Sequence, residues 1–129
     1  MIAAVLDTDA ILSGIGWPRS PSRRLVQAIA SGRVVPVTCP AMLEELEATL
    51  SRRELAKIFP DPAGVFALVE SISFVVDPVK PIAAVERPHG NRMLEAAKAA
   101  AADYIVTSDI ELLRLGEFSS AKIVRPHPV

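Results

Sequence analysis

The feature that most constrains this chain is a pattern that recurs along it: a short, almost unbroken apolar run, a turn, and then apolar residues at helical spacing. Ile2 to Leu6 is the first such run, and a charged turn containing Asp7 and Asp9 ends it. An apolar run this short without alternation is the signature of a strand covered on both faces, as in a parallel sheet. Val34 to Thr38 is the second run, residues 74–76 a weaker third, and residues 104–107 the fourth; residues 122–124 could add an edge strand closed by Pro126 and Pro128. Helical segments separate them. Strands alternating with helices imply an α/β domain with a mostly parallel sheet and helices on both faces.

Local signals set the expected helices. Ser20 with Pro21 reads as a helix start, Leu25, Val26 and Ile29 follow at helical spacing, and Gly32 is a stop. Pro40 opens a helix whose stripe is Met42, Leu43, Leu46 and Leu50. Ser51 with Glu54, and Ser108 with Glu111, both match a capping box. A further helix is expected over residues 63–70, and Asn91 is placed to cap an alanine-rich helix reaching about residue 101.

A chain of 129 residues supports one hydrophobic core, so a single domain over residues 1–129 is expected. Half of the residues are apolar and 22% are charged, which excludes a disordered chain. The lone Cys39 excludes an internal disulfide and fits a reducing cytoplasm. The amino terminus meets Asp7 and Asp9 before a signal-peptide core develops, and no apolar stretch reaches 18 residues, so no membrane association is expected. With a net charge of −1, bulk attraction cannot draw in a polyanion. Local patches would have to do so: Arg19, Arg23 and Arg24; Arg52, Arg53 and Lys57; or Arg87 and Arg92.

Ligands of open parallel sheets bind beyond the carboxyl ends of the strands. There the first run delivers Asp7-Thr8-Asp9 and the fourth delivers Thr107-Ser108-Asp109. Carboxylates crowded together raise one another's pKa and call for a compensating cation, for which Mg²⁺ or Mn²⁺ with oxygen ligands is suited. Such a cluster suits metal-assisted phosphodiester hydrolysis. The competing explanation is local: Asp9 can cap a helix, Asp109 can sit at a helix start for the dipole alone, and Glu111 can close its capping box. On a helical wheel Glu44 faces away from the apolar stripe, while Glu45 and Glu47 flank it on opposite sides and remain tied.

Three stretches, in this order, resemble the PIN-domain family, specifically the toxins of bacterial toxin-antitoxin pairs: Val5-Leu6-Asp7-Thr8-Asp9 with Trp17 soon after, Pro40-Ala41-Met42-Leu43-Glu44-Glu45-Leu46 with Leu50-Ser51-Arg52, and Asp103-Tyr104-Ile105-Val106-Thr107-Ser108-Asp109. Leu115-Gly116-Glu117-Phe118 continues the likeness, which spans nearly the whole chain. The resemblance implies a three-layer αβα sandwich and RNA cleavage with Mg²⁺ or Mn²⁺ held by about four acids. It maps three of them onto Asp7, Glu45 and Asp109, choosing Glu45 over Glu47, with Thr8, Asn91, Thr107 and Ser108 as hydrogen-bonding support. It also implies an antitoxin partner and a homodimer, for which Ile15, Trp17 and Phe66 are candidate contacts.

Two positions depart from that family. The fourth acid maps onto Gly90, within Arg87-Pro88-His89-Gly90-Asn91, and Asp9 stands where the family has Asn. A relocated set of Asp7, Asp9, Glu45 and Asp109 restores four carboxylates, and Glu86 or His89 are other substitutes, an imidazole favouring Mn²⁺ over Mg²⁺. Two other functions compete. A PIN fold with a weakened metal site would bind RNA or protein without cutting. A haloacid-dehalogenase-type phosphatase would use Asp7-Thr8-Asp9 with Asp7 as nucleophile, but no Lys follows an apolar run where that family needs one.

Overall fold

The computed structural model describes residues 1–126; Pro128, expected to help close the last strand, lies outside the described residues. Six strands form one sheet in the order β3-β2-β1-β4-β6-β5. These are β1 (Ile2–Leu6), β2 (Val34–Thr38), β3 (Phe74–Val75), β4 (Tyr104–Val106), β5 (Glu117–Phe118) and β6 (Ala121–Val124). Among the described residues all pairings are parallel except β5 with β6, and the order puts β5 rather than β6 at that edge. The helices are α1 (Thr8–Gly16), α2 (Arg23–Ala30), α3 (Pro40–Leu50), α4 (Pro62–Ile72), α5 (Pro88–Ala100) and α6 (Ile110–Leu115), with a 3₁₀ turn at Arg53–Leu55.

The unbroken apolar runs follow from burial on two sides. Val5, Val37 and Ile105 project into one core with Met93, Leu94, Ala96 and Ala97 of α5 and Leu112 of α6. Ala4, Leu6 and Val106 project into a second core with Ala10, Ile11 and Leu12 of α1, Leu43, Leu46 and Leu50 of α3, and Val69 of α4. Neighbouring strand residues thus serve opposite layers, the period-2 rule acting on a chain apolar at every position. The result is a three-layer αβα sandwich. The alanines of α5 let its backbone lie close to the sheet, with Ala96 and Ala97 fully enclosed.

Several helix starts differ from their sequence signals, in some cases because another partner takes the capping side chain. Ser20 Oγ donates to Ser13 O and leaves the start of α2 to Ser22. Ser51 Oγ donates back to Glu47 O and ends α3, so it caps nothing downstream. Asp109, not Ser108, is the N-cap of α6, accepting from Leu112 N at 3.1 Å. Pro88 opens α5 three residues before Asn91, which is therefore inside the helix. Helix α1, directly after Asp7, had no signal beyond the ability of aspartate to start one.

Candidate functional site

The sheet brings Asp7 and Thr107 side by side at the carboxyl edge. Asp7 N donates to Val106 O at 2.9 Å, extending the β1–β4 ladder by one residue, and Thr107 N donates to Val124 O, also at 2.9 Å. Thr107 is fully buried, and its Oγ1 donates to Asp7 Oδ2 at 2.7 Å while accepting from Asp109 N at 3.0 Å. A hydroxyl that must both donate and accept inside the protein has one usable orientation, so Thr107 fixes the Asp7 carboxylate.

Glu45 comes to the same place from α3. It is the half-buried member of the acidic run Glu44-Glu45, with Glu44 and Glu47 exposed. His89 lies between Glu45 and Asp7: its Nε2 is 3.2 Å from Asp7 Oδ1, and its Nδ1 contacts Glu45 Oε2. Asp109 is more heavily committed. One oxygen caps α6 and the other stands 3.4 Å from Arg87 Nη1. Asp9 is an exposed side chain in the first turn of α1 at the rim of the same cleft. Thr8 is buried beside it, and Ser108 is an exposed residue of the cleft lining.

The segment carrying His89 is braced from below. Asn91 Oδ1 accepts from Ala84 N and Val85 N, and its Nδ2 donates to Val85 O at 2.8 Å. Asn91 therefore holds the loop before α5 and does not reach the carboxylates. Glu111 accepts from Glu86 N through both oxygens, at 3.1 and 3.0 Å, in place of closing a capping box. Glu95, to which no role was given from sequence, accepts from Ile82 N at 2.8 Å and pairs with Arg92 at 2.7 Å. Arg92 is thereby bound to this loop and lies outside the cleft. Asn91→Ala should strip two N–H groups and one carbonyl of their partner at once, costing about 2–3 kcal/mol. Chemical denaturation measures that loss, and a change under about 0.5 kcal/mol would show that water replaces the amide.

Residue 90 does not face the carboxylates. A Cβ built on Gly90 would stand 2.9 Å from Val85 Cγ2 and 3.6 Å from the two Leu112 methyls, inside the core. His89 instead projects toward Asp7 and Glu45. Glu86 is exposed and is not part of the cleft wall.

The cleft has a volume of about 760 Å³. Asp7, Asp9, Glu45 and Asp109 lie on its walls with His89, and Arg52, Arg87 and Arg125 ring them. Arg52 and Arg87 come from two separate basic patches of the sequence. Arg125 was missed, although it follows the last strand and the strand-end rule applied to β6 would have found it.

Burial pushes the Asp7 carboxyl up, but hydrogen bonds from His89 and Thr107 outweigh it, leaving the group below its ordinary 3.8. Burial raises Glu45, and the charges of Asp7 and Asp9 add to this against the opposing pull of His89. Burial lowers His89, yet the hydrogen bond to Asp7 and the charge of Glu45 carry it above its ordinary 6.5. The sign of the stability effect follows. His89 stabilises the fold fully below pH 6.5 and loses that contribution as pH rises through its elevated folded value; Asp7 contributes above pH 3.8 and loses it as pH falls through its depressed value. In chelator-treated protein, the melting-temperature deficit of His89→Ala should therefore be widest between pH 3.8 and 6.5 and shrink above that window. A constant deficit across a pH series would show that the pair contributes by packing alone.

Among the described residues, no three His, Cys, Asp or Glu side chains are placed so that together they could hold a metal ion as they stand. The imidazole accounts for this by sitting between the two carboxylates. The donor set nonetheless fits a divalent cation, because Asp7 and Glu45, from different elements, converge on one group that is positive when protonated. A stand-in for a cation already occupies the gap. Cys39 faces the core at the foot of α3, and burial pushes its thiol up, so it offers no thiolate ligand.

A family profile described as "PIN domain" matches residues 3–111. No curated protein matches the sequence. Among solved structures, the chain superposes with a TM-score of 0.64 on a chain of "VapBC2 from Rickettsia felis bound to a DNA fragment from their promoter", at 13% identity, covering 96% of this chain and 98% of that one. At that identity the likeness concerns the fold.

Proposed function

Because the chain belongs to the PIN-domain family, we propose that it is an endoribonuclease dependent on Mg²⁺ or Mn²⁺ and the toxin of a toxin-antitoxin pair. The observation that carries this reading is the convergence of Asp7 and Glu45 on one imidazole, that of His89, at the carboxyl edge of the sheet. Asp7, Glu45 and Asp109 would hold the ion, and Asp9 stands at the rim as a further carboxylate. A divalent ion held there supplies Lewis-acid charge and lowers the pKa of a water.

The chain's own residues do the rest. Thr107 keeps Asp7 in one rotamer through the 2.7 Å hydrogen bond. Arg52, Arg87 and Arg125 surround the carboxylates, and guanidinium forks bind phosphate oxygens in two-point contacts. This explains how a chain of net charge −1 takes a polyanion: positive charge is concentrated where the backbone of a single-stranded or looped RNA would lie. The likeness to VapBC2 supports an antitoxin partner, and a homodimer is proposed beside it on exposed apolar side chains. Trp17 is 41% exposed, with its ring edge-on to Phe59 at 6.0 Å, and would serve such a contact with the half-buried Ile15 and Phe66. No helix among the described residues is long and apolar enough to cross a membrane.

The test is cleavage of single-stranded RNA by purified protein with Mg²⁺, with Mn²⁺ and with EDTA. Cleavage that requires a cation supports the reading, and cleavage surviving EDTA overturns it. A second reading, an RNA- or protein-binding module that does not cut, is favoured by His89 filling the gap between the carboxylates. RNA retention without cleavage under any cation would select it.

A further inference from the structure

We infer that Nε2 of His89 is a ligand of the divalent ion and that this nitrogen makes the site select Mn²⁺ over Mg²⁺. The inference rests on the metal reading above, puts His89 Nε2 on the ion in place of Glu45, and adds a preference between cations. Its first support is a distance. Two ligands at right angles on an octahedral ion, each bonded at a little over 2 Å, lie about 3 Å apart. Asp7 Oδ1 and His89 Nε2 are 3.2 Å apart. They already have the separation of neighbouring ligands, so an ion can join them with little rearrangement of either side chain.

The second support is the other ring nitrogen. A histidine that binds a metal through one nitrogen is usually oriented by a carboxylate on the other. His89 Nδ1 contacts Glu45 Oε2, which fixes the ring and directs Nε2 toward Asp7. Glu45 then stands on the far side of the ring from the ion and acts as a positioning residue for the imidazole.

The third support is rigidity. His89 is in the first turn of α5, after Pro88. The loop entering that turn is tied down by Asn91 at residues 84 and 85 and by Glu111 at residue 86. Gly90, pressed against Val85, lets the turn sit this deep. The imidazole is thus presented by a braced helix start.

The chemical consequence concerns selectivity. Mg²⁺ is a hard ion that favours oxygen and dehydrates reluctantly, whereas imidazole nitrogen suits first-row transition metals. A site of carboxylates with one imidazole should therefore hold Mn²⁺ at least about tenfold more tightly than Mg²⁺. His89→Asp, which returns an oxygen donor to that position, should narrow the ratio toward unity.

Pulsed electron paramagnetic resonance of the Mn²⁺-loaded protein reads the bond without reference to activity. Wild type should show hyperfine coupling from one directly bound nitrogen, changed in the known way by ¹⁵N-histidine labelling and lost in His89→Ala. Calorimetry with Mn²⁺ and Mg²⁺ on wild type and His89→Asp should show the ratio collapse. The wild-type spectrum needs no variant to fold, so an unstable substitution does not remove the test. Mn²⁺ bound at Asp7 and Glu45 with no nitrogen coupling overturns this inference and leaves the metal reading standing. Wild type that binds no Mn²⁺ at all overturns both.

Discussion

Asp7→Asn should lower cation-dependent RNA cleavage by at least about 10³-fold, equivalent to about 4 kcal/mol of lost transition-state stabilisation. The substitution keeps the shape of the side chain and removes its charge. The amide oxygen can still accept from Thr107 Oγ1, which now donates to Asp7 Oδ2 at 2.7 Å, so the strand ends should stay in place. The amide nitrogen, however, would face His89, where Oδ1 now stands at 3.2 Å. A donor has then replaced the one oxygen shared between the imidazole and the proposed ion, and a divalent cation loses the carboxylate that Thr107 holds in place. Steady-state cleavage of a labelled RNA measures the effect, with circular dichroism and thermal melting as the check on folding. Activity within tenfold of wild type in a folded protein would remove Asp7 from the mechanism.

Gly90→Asp should destabilise the protein by about 3 kcal/mol or more and should not tighten metal binding. The family pattern suggests that it would restore a missing carboxylate. The geometry argues the reverse, because the new Cβ would press on Val85 Cγ2 at 2.9 Å and lie beside the methyls of Leu112. Overpacking alone costs about 1–3 kcal/mol, and an unpaired carboxylate forced against apolar groups adds to it. Val85 yields either by turning its β-branched side chain out of its χ1 well or by shifting the backbone that Asn91 holds at residues 84 and 85. Denaturant melts and Mn²⁺ calorimetry on the same preparation decide the matter. A variant as stable as wild type that binds Mn²⁺ more tightly would mean that the turn at the start of α5 can rotate to bring residue 90 into the cleft.

These two substitutions mark the boundary between what the sequence reveals and what it hides. Asp7 and Asp109 were legible because strand ends are local: an apolar run followed by Asp fixes where the residue will stand on a parallel sheet. Glu45 was half legible. Its helix and apolar stripe could be read, but Glu45 and Glu47 flank that stripe equally, and the family likeness chose between them. The structure leaves Glu45 half-buried on the cleft wall and Glu47 exposed. His89 was weighed only as one substitute among several. Its position depends on where α5 begins, and helix starts are among the weakest inferences from sequence.

The capping signals show the same limit from the other side. Ser51 with Glu54 and Ser108 with Glu111 had the right residues at the right spacing, yet Ser51 turned back onto α3, and Glu111 reached across 25 residues to Glu86. A polar side chain takes the best partner in reach, and partners distant in sequence are visible only once the chain has packed.

The sequence by itself determined that this chain forms nearly unbroken apolar strands at the centre of the sheet, hence a doubly covered parallel sheet, and that carboxylates crowd one edge of it. Hydrophobic periodicity and strand ends are short-range properties written in consecutive residues. Only the tertiary structure decided that an imidazole would stand between Asp7 and Glu45, because α3, α5 and β1 meet there from positions more than 80 residues apart in the case of Asp7 and His89. What first reads as carboxylates gathered at strand ends is, in the folded protein, a carboxylate pair bridged by a histidine.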